Sequence, residues 1–219
     1  MKRIFLILAI LPALLLTACS AVRLESSEKN PDIVLFHAKK LLIVGMSRDP
    51  AARKAFETRL QKAFTAEGIE TVRSLDLFDV AFTESERSEA ELDAVEQRLI
   101  DQDFDAVLIT KVIGSETRTT LRTRIQEVGA SYDRFSEDYL LHQGLYFDRN
   151  YYELATEYYT ETALYCICEG KERDLIWKAS MLISDPTNVD RVVKEYIQLL
   201  LEEMEQLQLI LGTDVFEEN

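Results

Sequence analysis

The sequence has few of the residues on which most catalytic and metal sites depend. It contains two histidines, His37 and His142, and three cysteines in 219 residues. The histidines lie far apart, and neither belongs to a metal-binding spacing such as H-E-x-x-H. There is no G-x-S-x-G nucleophile motif and no glycine-rich phosphate loop. We therefore predict a protein that is not an enzyme and that uses no metal and no cofactor.

Positive charge is also scarce. The chain has 25 Lys and Arg residues against 39 Asp and Glu residues, which gives a formal net charge of −14. Such a surface repels nucleic-acid phosphates and anionic lipid head groups. The charge therefore argues against nucleic acid as a partner and against direct adhesion of the domain to an anionic bilayer.

Only one long apolar segment is present, and it lies at the amino terminus. Lys2 and Arg3 precede an apolar stretch at residues 4–16, which is too short to span a hydrocarbon core of ~30 Å. This pattern is typical of a secretory leader. The segment ends in Leu16-Thr17-Ala18-Cys19, which resembles the lipobox of bacterial lipoproteins. The alternatives are an ordinary secretory peptide and an internal apolar helix.

The lipobox resemblance implies a modification and a location. It implies removal of a signal peptide at residues 1–18 and transfer of a diacylglyceryl group, labelled by palmitate, to the Cys19 thiol. Ser20 in place of Asp implies sorting to the outer membrane, with the domain facing the periplasm. Two acyl chains are enough for stable anchoring. No second apolar run approaches 18 residues, so we expect the lipid to be the sole membrane anchor.

Residues 19–38 are predicted to be a lipidated tether. Most of them are polar, Pro31 interrupts them, and they show no sustained periodicity. A flexible chain of this length would reach about 25 Å from the bilayer.

The residues from 39 to 212 are predicted to form one α/β domain. Residues 41–46 are apolar on both sides, as in a buried central strand. Asp49 followed by Pro50 is a typical helix start, and Gly68 is a typical helix end. This helix amino terminus could hold an anion, but the Asp49 carboxylate would repel one.

The remaining patterns complete a single sheet covered by helices. A capping box, either Thr83 with Glu86 or Ser88 with Glu91, would open an acidic helix. Trp177 lies on an apolar strand face, which predicts a core position against a long, strongly amphipathic final helix. We expect a mixed sheet of about five strands packed by about three helices. The predicted strands are 41–46, 106–110, 116–125, 157–169 and 173–184, and 69–78 has a weaker strand pattern that would lie near an edge. An acidic tail follows at 213–219.

Charge predicts one strand pairing and leaves one cysteine question open. Strands that place Arg118 opposite Glu161 would also place Arg122 opposite Glu157, and opposite charges across a ladder are favourable. Two cysteines, Cys166 and Cys168, lie two residues apart on a strand. Their Cα separation of roughly 6.5–7 Å is at the upper limit for a disulfide. Buried free thiols are the favoured interpretation, with a disulfide or a soft-metal site as alternatives.

Residues 126–152 are predicted to be an aromatic-rich loop that binds a partner. Connections of this length are often functional, and tyrosine is enriched at interfaces. The alternative is that half of these rings cover the sheet. The candidate binding residues are Tyr132, Phe135, Tyr139, Tyr146, Phe147 and Tyr151.

The order of the segments KLLIVGMS, RKAFETRLQKAF, GIETV and FDAVLITKV resembles compact α/β lipoprotein domains of the bacterial envelope. Those include the lipoprotein activators of penicillin-binding proteins, the curli-secretion lipoprotein and the amino-terminal domain of the Tol–Pal propeller protein. The resemblance implies a protein-binding or scaffolding role in the envelope. The alternative is a module that binds glycan, peptidoglycan or a small hydrophobic molecule. A flat aromatic surface would favour the first and a concave pocket the second.

Overall fold

The computed structural model describes residues 20–33, 36–78, 86–116, 134–147, 157–167, 175–184 and 186–209. Within these residues the chain forms six strands and five helices. The strands are β1 (Val22–Lys29), β2 (Lys40–Met46), β3 (Glu70–Arg73), β4 (Ala106–Glu116), β5 (Glu157–Cys166) and β6 (Leu175–Ile183). The helices are α1 (Pro50–Ala66), α2 (Ser74–Leu77), α3 (Glu89–Asp101), α4 (Phe135–Phe147) and α5 (Val189–Gln206).

The six strands form one mixed sheet in the order β1-β6-β5-β4-β2-β3. Strand β2 is parallel to both of its neighbours, β3 and β4. The pairs β4–β5, β5–β6 and β6–β1 are antiparallel. The predicted mixed α/β class with a single sheet is confirmed.

Helices cover both faces of the sheet. Alternate side chains of β2 show the division, since Leu41 and Ile43 belong to one hydrophobic core and Leu42 to the other. Helices α1 and α5 cover the first face, and α3 and α4 cover the second. The predicted core position of Trp177 is confirmed: it is fully buried on the first face, in the same cluster as the α5 residues Tyr196 and Leu200.

Helix starts follow the local sequence. The Asp49 side chain accepts hydrogen bonds from the amides of Ala51 and Ala52, and Pro50 is the first helical residue of α1. Ser88 and Glu91 form a reciprocal capping box at the start of α3, as one of the two predicted alternatives had it. Thr83, the other candidate, lies outside the described residues.

Strand β1 corrects the prediction of a tether at residues 19–38. It pairs antiparallel with β6, with Val22 opposite Ile183, and Ala21 and Val22 are buried. Strand β1 is an outermost strand of the sheet, so its backbone hydrogen bonds within the sheet go to one neighbouring strand, β6. Polar side chains are common on edge strands, which is why the polar composition of this segment concealed a strand.

The pairing of β5 corrects the predicted charge register. Glu161 lies opposite Lys111, and Glu157 lies opposite Glu116. Glu161 therefore has a different cationic partner from the predicted Arg118, because β4 extends through Lys111 beside it. Arg118 and Arg122 are outside the described residues.

Cys166 corrects a further expectation. It is buried, as predicted, but it is disulfide-bonded, so the favoured interpretation of free thiols is wrong. Its bonding partner lies outside the described residues, as do the two other cysteines, Cys19 and Cys168.

Candidate functional site

The candidate site lies at the carboxyl end of the central strand β2, where the chain connects to neighbouring strands over opposite faces of the sheet. Helix α1 leads from β2 to β3 over the first face, and α3 leads from β3 to β4 over the second face. The strands β3 and β4 therefore lie on opposite sides of β2. Reversal of this kind opens a crevice at the carboxyl ends of the parallel strands, where ligands of α/β proteins commonly bind.

A cleft of about 410 Å³ lies at this edge of the sheet, and we call it the edge cleft. Its apolar wall consists of Ala52, Val112, Ile183, Val189, Val192 and Val193. The other lining residues are Ser47, Arg48, Asp49, Tyr158 and Pro186. The volume falls within the range of ~300–1,000 Å³ that is usual for ligand pockets. A smaller cavity of about 130 Å³ adjoins it and extends toward Gly45, Phe56 and Tyr196.

A buried carboxylate fixes the backbone behind this cleft. Glu57 is fully buried, and its Oε1 accepts hydrogen bonds from the Gly45 amide at 3.0 Å and the Ser74 hydroxyl at 2.6 Å. Arg53 Nε donates to the same oxygen at 3.1 Å, and the Leu75 amide donates to Oε2 at 3.1 Å. With these partners, Glu57 acts as a structural anchor that joins β2, α1 and α2.

Gly45 allows this close approach. A Cβ atom at Gly45 would lie 3.3 Å from Phe56 Cδ1 and 3.4 Å from Glu57 Oε1. The first contact is tighter than a comfortable packing distance, so a larger residue would push α1 away from the strand. The glycine therefore helps to set the width of the cavity beneath the edge cleft.

A second buried cluster attaches α4 to the other face of the sheet. Lys111 on β4 is 1 % exposed. Its Nζ donates to Asp138 Oδ2 on α4 at 2.5 Å and to Glu161 Oε1 on β5 at 2.8 Å. The Tyr165 hydroxyl donates to Asp138 Oδ2 at 2.9 Å. One buried cation thus joins two strands and a helix.

Histidine contributes to the same cluster. His142 lies one helical turn beyond Asp138, and its Nδ1 is 2.9 Å from the backbone carbonyl oxygen of Asp138 and 3.0 Å from Asp138 Oδ1. Burial by itself raises the pKa of the Asp138 carboxyl, but the hydrogen bond from His142 and the charge of Lys111 outweigh burial. The net result is a pKa for Asp138 below its ordinary value, and the carboxylate stays charged inside the protein.

The lowered pKa of Asp138 predicts a pH dependence of stability. A carboxyl with a lower pKa in the folded state stabilises the fold above its unfolded pKa of ~3.9. That contribution is lost as the pH falls through the folded value. We expect the free energy of unfolding to fall less steeply in Asp138→Asn than in the parent on acidification below about pH 5. Urea unfolding at a series of pH values measures the slope.

Asp101→Asn is the matched control for this experiment, because Asp101 is exposed at the end of α3. The control should retain the slope of the parent. Equal slopes in the parent and in Asp138→Asn would contradict the assignment of the pH dependence to Asp138.

The described residues of the predicted aromatic site lie on helix α4 and do not line the edge cleft. Phe135–Phe147 form helix α4, in a segment where the sequence predicts an irregular loop. Phe135 and Tyr139 are buried, 6 % and 8 % exposed, in the second core against α3. The expectation that these two rings form an exposed binding surface is therefore wrong. Burial also raises the pKa of the Tyr139 hydroxyl.

Of the other predicted site residues, the structure describes the side chain of Tyr146. Tyr146 is half-buried and, together with Phe135 and Tyr139, lines a cavity of about 40 Å³. That cavity has room for little more than a water molecule. Cys19, Tyr132, Tyr151 and the side chain of Phe147 lie outside the described residues.

Sequence reasoning missed the edge cleft although it singled out its neighbourhood. The sequence of the turn at residues 45–49 predicts a helix amino terminus, where the Asp49 carboxylate argues against a bound anion. The wall of the cleft is apolar, so the relevant signal was the apolar residues near the starts of α1 and α5. Ala52 and Val192 come from helices far apart in sequence, and only the tertiary structure brings them together.

The described residues contain neither a candidate metal cluster nor a candidate membrane-spanning helix. Among the described residues, no group of three or more His, Cys, Asp and Glu side chains is placed to hold a metal ion. None of the helices within those residues is both long enough and apolar enough to cross a membrane.

The fold and cleft define a three-layer α/β domain with a crevice at the carboxyl edge of its parallel strands. No protein-family model matches the sequence, and no curated protein matches it. Among solved structures, the chain is similar to the PelC dodecamer from Paraburkholderia phytofirmans, at 14% identity and a TM-score of 0.38, covering 85% of this chain and 96% of that one. It is also similar to lipoprotein GNA1162 from Neisseria meningitidis, at 12% identity and a TM-score of 0.39, covering 76% and 98%.

Proposed function

We propose that the protein is a non-catalytic binding lipoprotein of the cell envelope, anchored in the outer membrane through acylated Cys19 and facing the periplasm. The observation that carries this proposal is the position of β1. The strand starts at Val22, three residues after the cysteine of the lipobox-like segment. The domain is therefore held directly at the membrane surface.

Contacts to α5 support this arrangement. The Ala21 amide donates to Glu195 Oε2 at 2.6 Å, and the Ser20 hydroxyl donates to the same oxygen at 3.0 Å. A hydrogen bond from Arg191 is the main cause of a lowered pKa at Glu195, and the bonds from Ala21 and Ser20 add to it. The first residues after Cys19 are thus tied to the helix, which limits the distance between the domain and the lipid.

Strand pairing supports one orientation of the sheet in the proposed anchored state. Val22 is opposite Ile183, and Ile183 is opposite Tyr158. Continuing across the sheet, the same edge contains the carboxyl ends of β4 and β2. A domain anchored just before Val22 would therefore present this edge, with the edge cleft, toward the membrane.

The chemistry of the described residues favours binding over catalysis. The buried ionic groups Glu57, Lys111 and Asp138 are engaged in hydrogen bonds within the domain. The wall of the edge cleft is mainly apolar, which suits a hydrophobic ligand. This agrees with the small hydrophobic molecule of the alternative prediction and makes the edge cleft, rather than the aromatic segment, its binding site.

A protein partner is the second candidate, and charge on α3 favours it. Glu89, Glu91 and Asp101 are exposed on this helix, within the acidic segment at residues 84–102. A partner with a basic surface would complement them, and its association rate would fall as salt is added. The buried rings Phe135 and Tyr139 are unsuited to such a contact.

Replacing the lipobox cysteine tests the proposed anchor. We expect Cys19→Ser to retain its leader and to incorporate no palmitate analogue, because the variant lacks the thiol that accepts the lipid. Metabolic labelling and intact mass measure these outcomes, and membrane fractionation locates the Ser20→Asp control.

Ser20→Asp is the matched control for the sorting signal. It should be labelled and processed like the parent but move from the outer to the inner membrane. Normal labelling of Cys19→Ser would refute the proposed lipidation. Normal labelling of Ser20→Asp without relocation would refute the sorting signal alone.

A further inference from the structure

The inference concerns what occupies the edge cleft, and it rests on the lipidation of Cys19 proposed above. The amino-terminal end of the described chain lies close to the edge cleft. Val22 lies beside Ile183 in adjacent strands, which are ~4.8 Å apart, and Ile183 lines the cleft. Ser20, the residue directly after Cys19, is therefore close to the cleft at the same edge of the sheet.

The amino-terminal end of the described chain lies on the face of the sheet that α5 covers. Ser20 and Ala21 bond to Glu195 of α5. Val192 lies three residues earlier in α5 and belongs to the cleft wall. Residues three apart are neighbours on a helix surface. The amino-terminal end and the cleft thus contact the same helix, on the same face of the sheet.

The lining of the edge cleft is mainly aliphatic. The wall is formed by aliphatic side chains such as Ala52, Val189 and Val193, while the charged residues Arg48 and Asp49 also line the cleft. An apolar wall favours an apolar occupant. An elongated hydrocarbon chain meets this requirement, whereas a glycan would leave most of its hydroxyl groups without partners.

The acyl chains on Cys19 would be the apolar groups attached nearest to the edge cleft. An acyl chain that spans half of a ~30 Å hydrocarbon core is about 15 Å long, about four times the ~3.8 Å between the Cα atoms of consecutive residues such as Cys19 and Ser20. A chain attached to Cys19 is also present at a high effective concentration. We infer that the edge cleft holds one acyl chain of the lipid on Cys19.

This inference gives the cleft a role in reaching the outer membrane. A lipoprotein destined for that membrane must take its acyl chains across the aqueous periplasm. Hydrocarbon exposed to water is unfavourable in proportion to its area. A chain placed in the cleft is removed from water during the transfer, and the cleft wall is covered at the same time.

The test uses the full-length protein made in cells fed a palmitate analogue with a photoreactive diazirine in its chain. After purification and illumination, mass spectrometry locates the crosslinks. We expect intramolecular crosslinks to the cleft-lining segments that contain Ala52, Ile183 and Val192. We expect them to be lost in Ala52→Trp and Val189→Trp, which fill the cleft from its two helices.

The matched control is Lys194→Trp, which adds the same side chain at an exposed position of α5 and should keep the crosslinks. Thermal unfolding identifies a variant that has lost its fold, and the other filling variant then supplies the result. Labelled protein with crosslinks confined to sites outside the cleft would overturn the inference while leaving lipidation intact.

A second arm separates two sources of acyl chain. The same protein, without the photoreactive lipid, is placed in phosphatidylethanolamine vesicles that contain a diazirine phospholipid. Cleft crosslinks from the vesicle lipid alone would show that a bilayer lipid occupies the site and would overturn the assignment to Cys19. Absence of any label on the protein would refute the proposed lipidation itself.

Discussion

Replacing Lys111 with Met should lower the free energy of unfolding by about 3–5 kcal/mol. Lys111 is 1 % exposed and is paired with Asp138, which is 0 % exposed, and Glu161, which is 9 % exposed. Without the ammonium group, two carboxylates would face each other inside the protein without their cation. The loss of that pairing, more than the loss of the alkyl chain, causes the effect. Urea unfolding of the purified protein measures it.

Lys178→Met is the matched control, because Lys178 pairs with Glu28 at 3.4 Å and the Glu28 side chain is 68% exposed. Surface ion pairs of this kind contribute ~0–1 kcal/mol. A loss at Lys111 no larger than the loss at Lys178 would contradict the role assigned to the buried cluster.

A rescue variant separates charge from packing. Combining Lys111→Met with Asp138→Asn and Glu161→Gln removes all three charges of the ion pairs while retaining their approximate volumes. Buried ion clusters can be replaced by neutral groups with little loss of stability. We expect the triple variant to recover part of the stability that Lys111→Met loses. No recovery would indicate that packing around the Lys111 alkyl chain causes the effect.

Replacing Trp177 with Ala should destabilise the protein by about 3–5 kcal/mol. The indole is fully buried between the sheet and α5, so truncation leaves a large cavity in the first core. Denaturant unfolding followed by far-ultraviolet circular dichroism is the suitable measurement, since the chain has a single Trp and fluorescence is lost with it. A change below ~1 kcal/mol would be inconsistent with a core position.

Two further variants separate the hydrogen bond of Trp177 from the packing of its ring. The Trp177 Nε1 group donates to the Ser27 hydroxyl of β1 at 2.9 Å. Ser27→Ala removes only the acceptor of the buried Nε1 group and should cost about 1–3 kcal/mol. Trp177→Phe removes the same hydrogen bond but keeps a large ring, so its effect should lie between those of Ser27→Ala and Trp177→Ala.

These variants also bear on the proposed anchor. Trp177 connects the core under α5 to β1, the strand that follows Cys19 directly. The contacts of Ser27 and Val22 hold β1 against the sheet. If Cys19 carries the proposed lipid, the short link between Cys19 and β1 keeps that lipid close to the edge cleft, which is the condition on which the inferred role of the cleft depends.

The sequence by itself determined the elements whose signals are local. The apolar run of β2 and β4, the Asp49-Pro50 helix start and the Ser88–Glu91 capping box each depend on residues within a few positions of one another. The burial of Trp177 followed from alternation along β6. From such patterns the mixed α/β class with one sheet could be predicted, because periodicity reports which face of an element is buried.

The tertiary structure decided the features that depend on distant partners. A polar segment became the edge strand β1 because β6 supplies its backbone hydrogen bonds. The rings of Phe135 and Tyr139 became core residues because Lys111 holds the intervening Asp138, and with it α4, against the sheet. The edge cleft exists because α1 and α5 meet above one end of that sheet. Composition does not record such long-range contacts, so the candidate site could not be located before the fold was known.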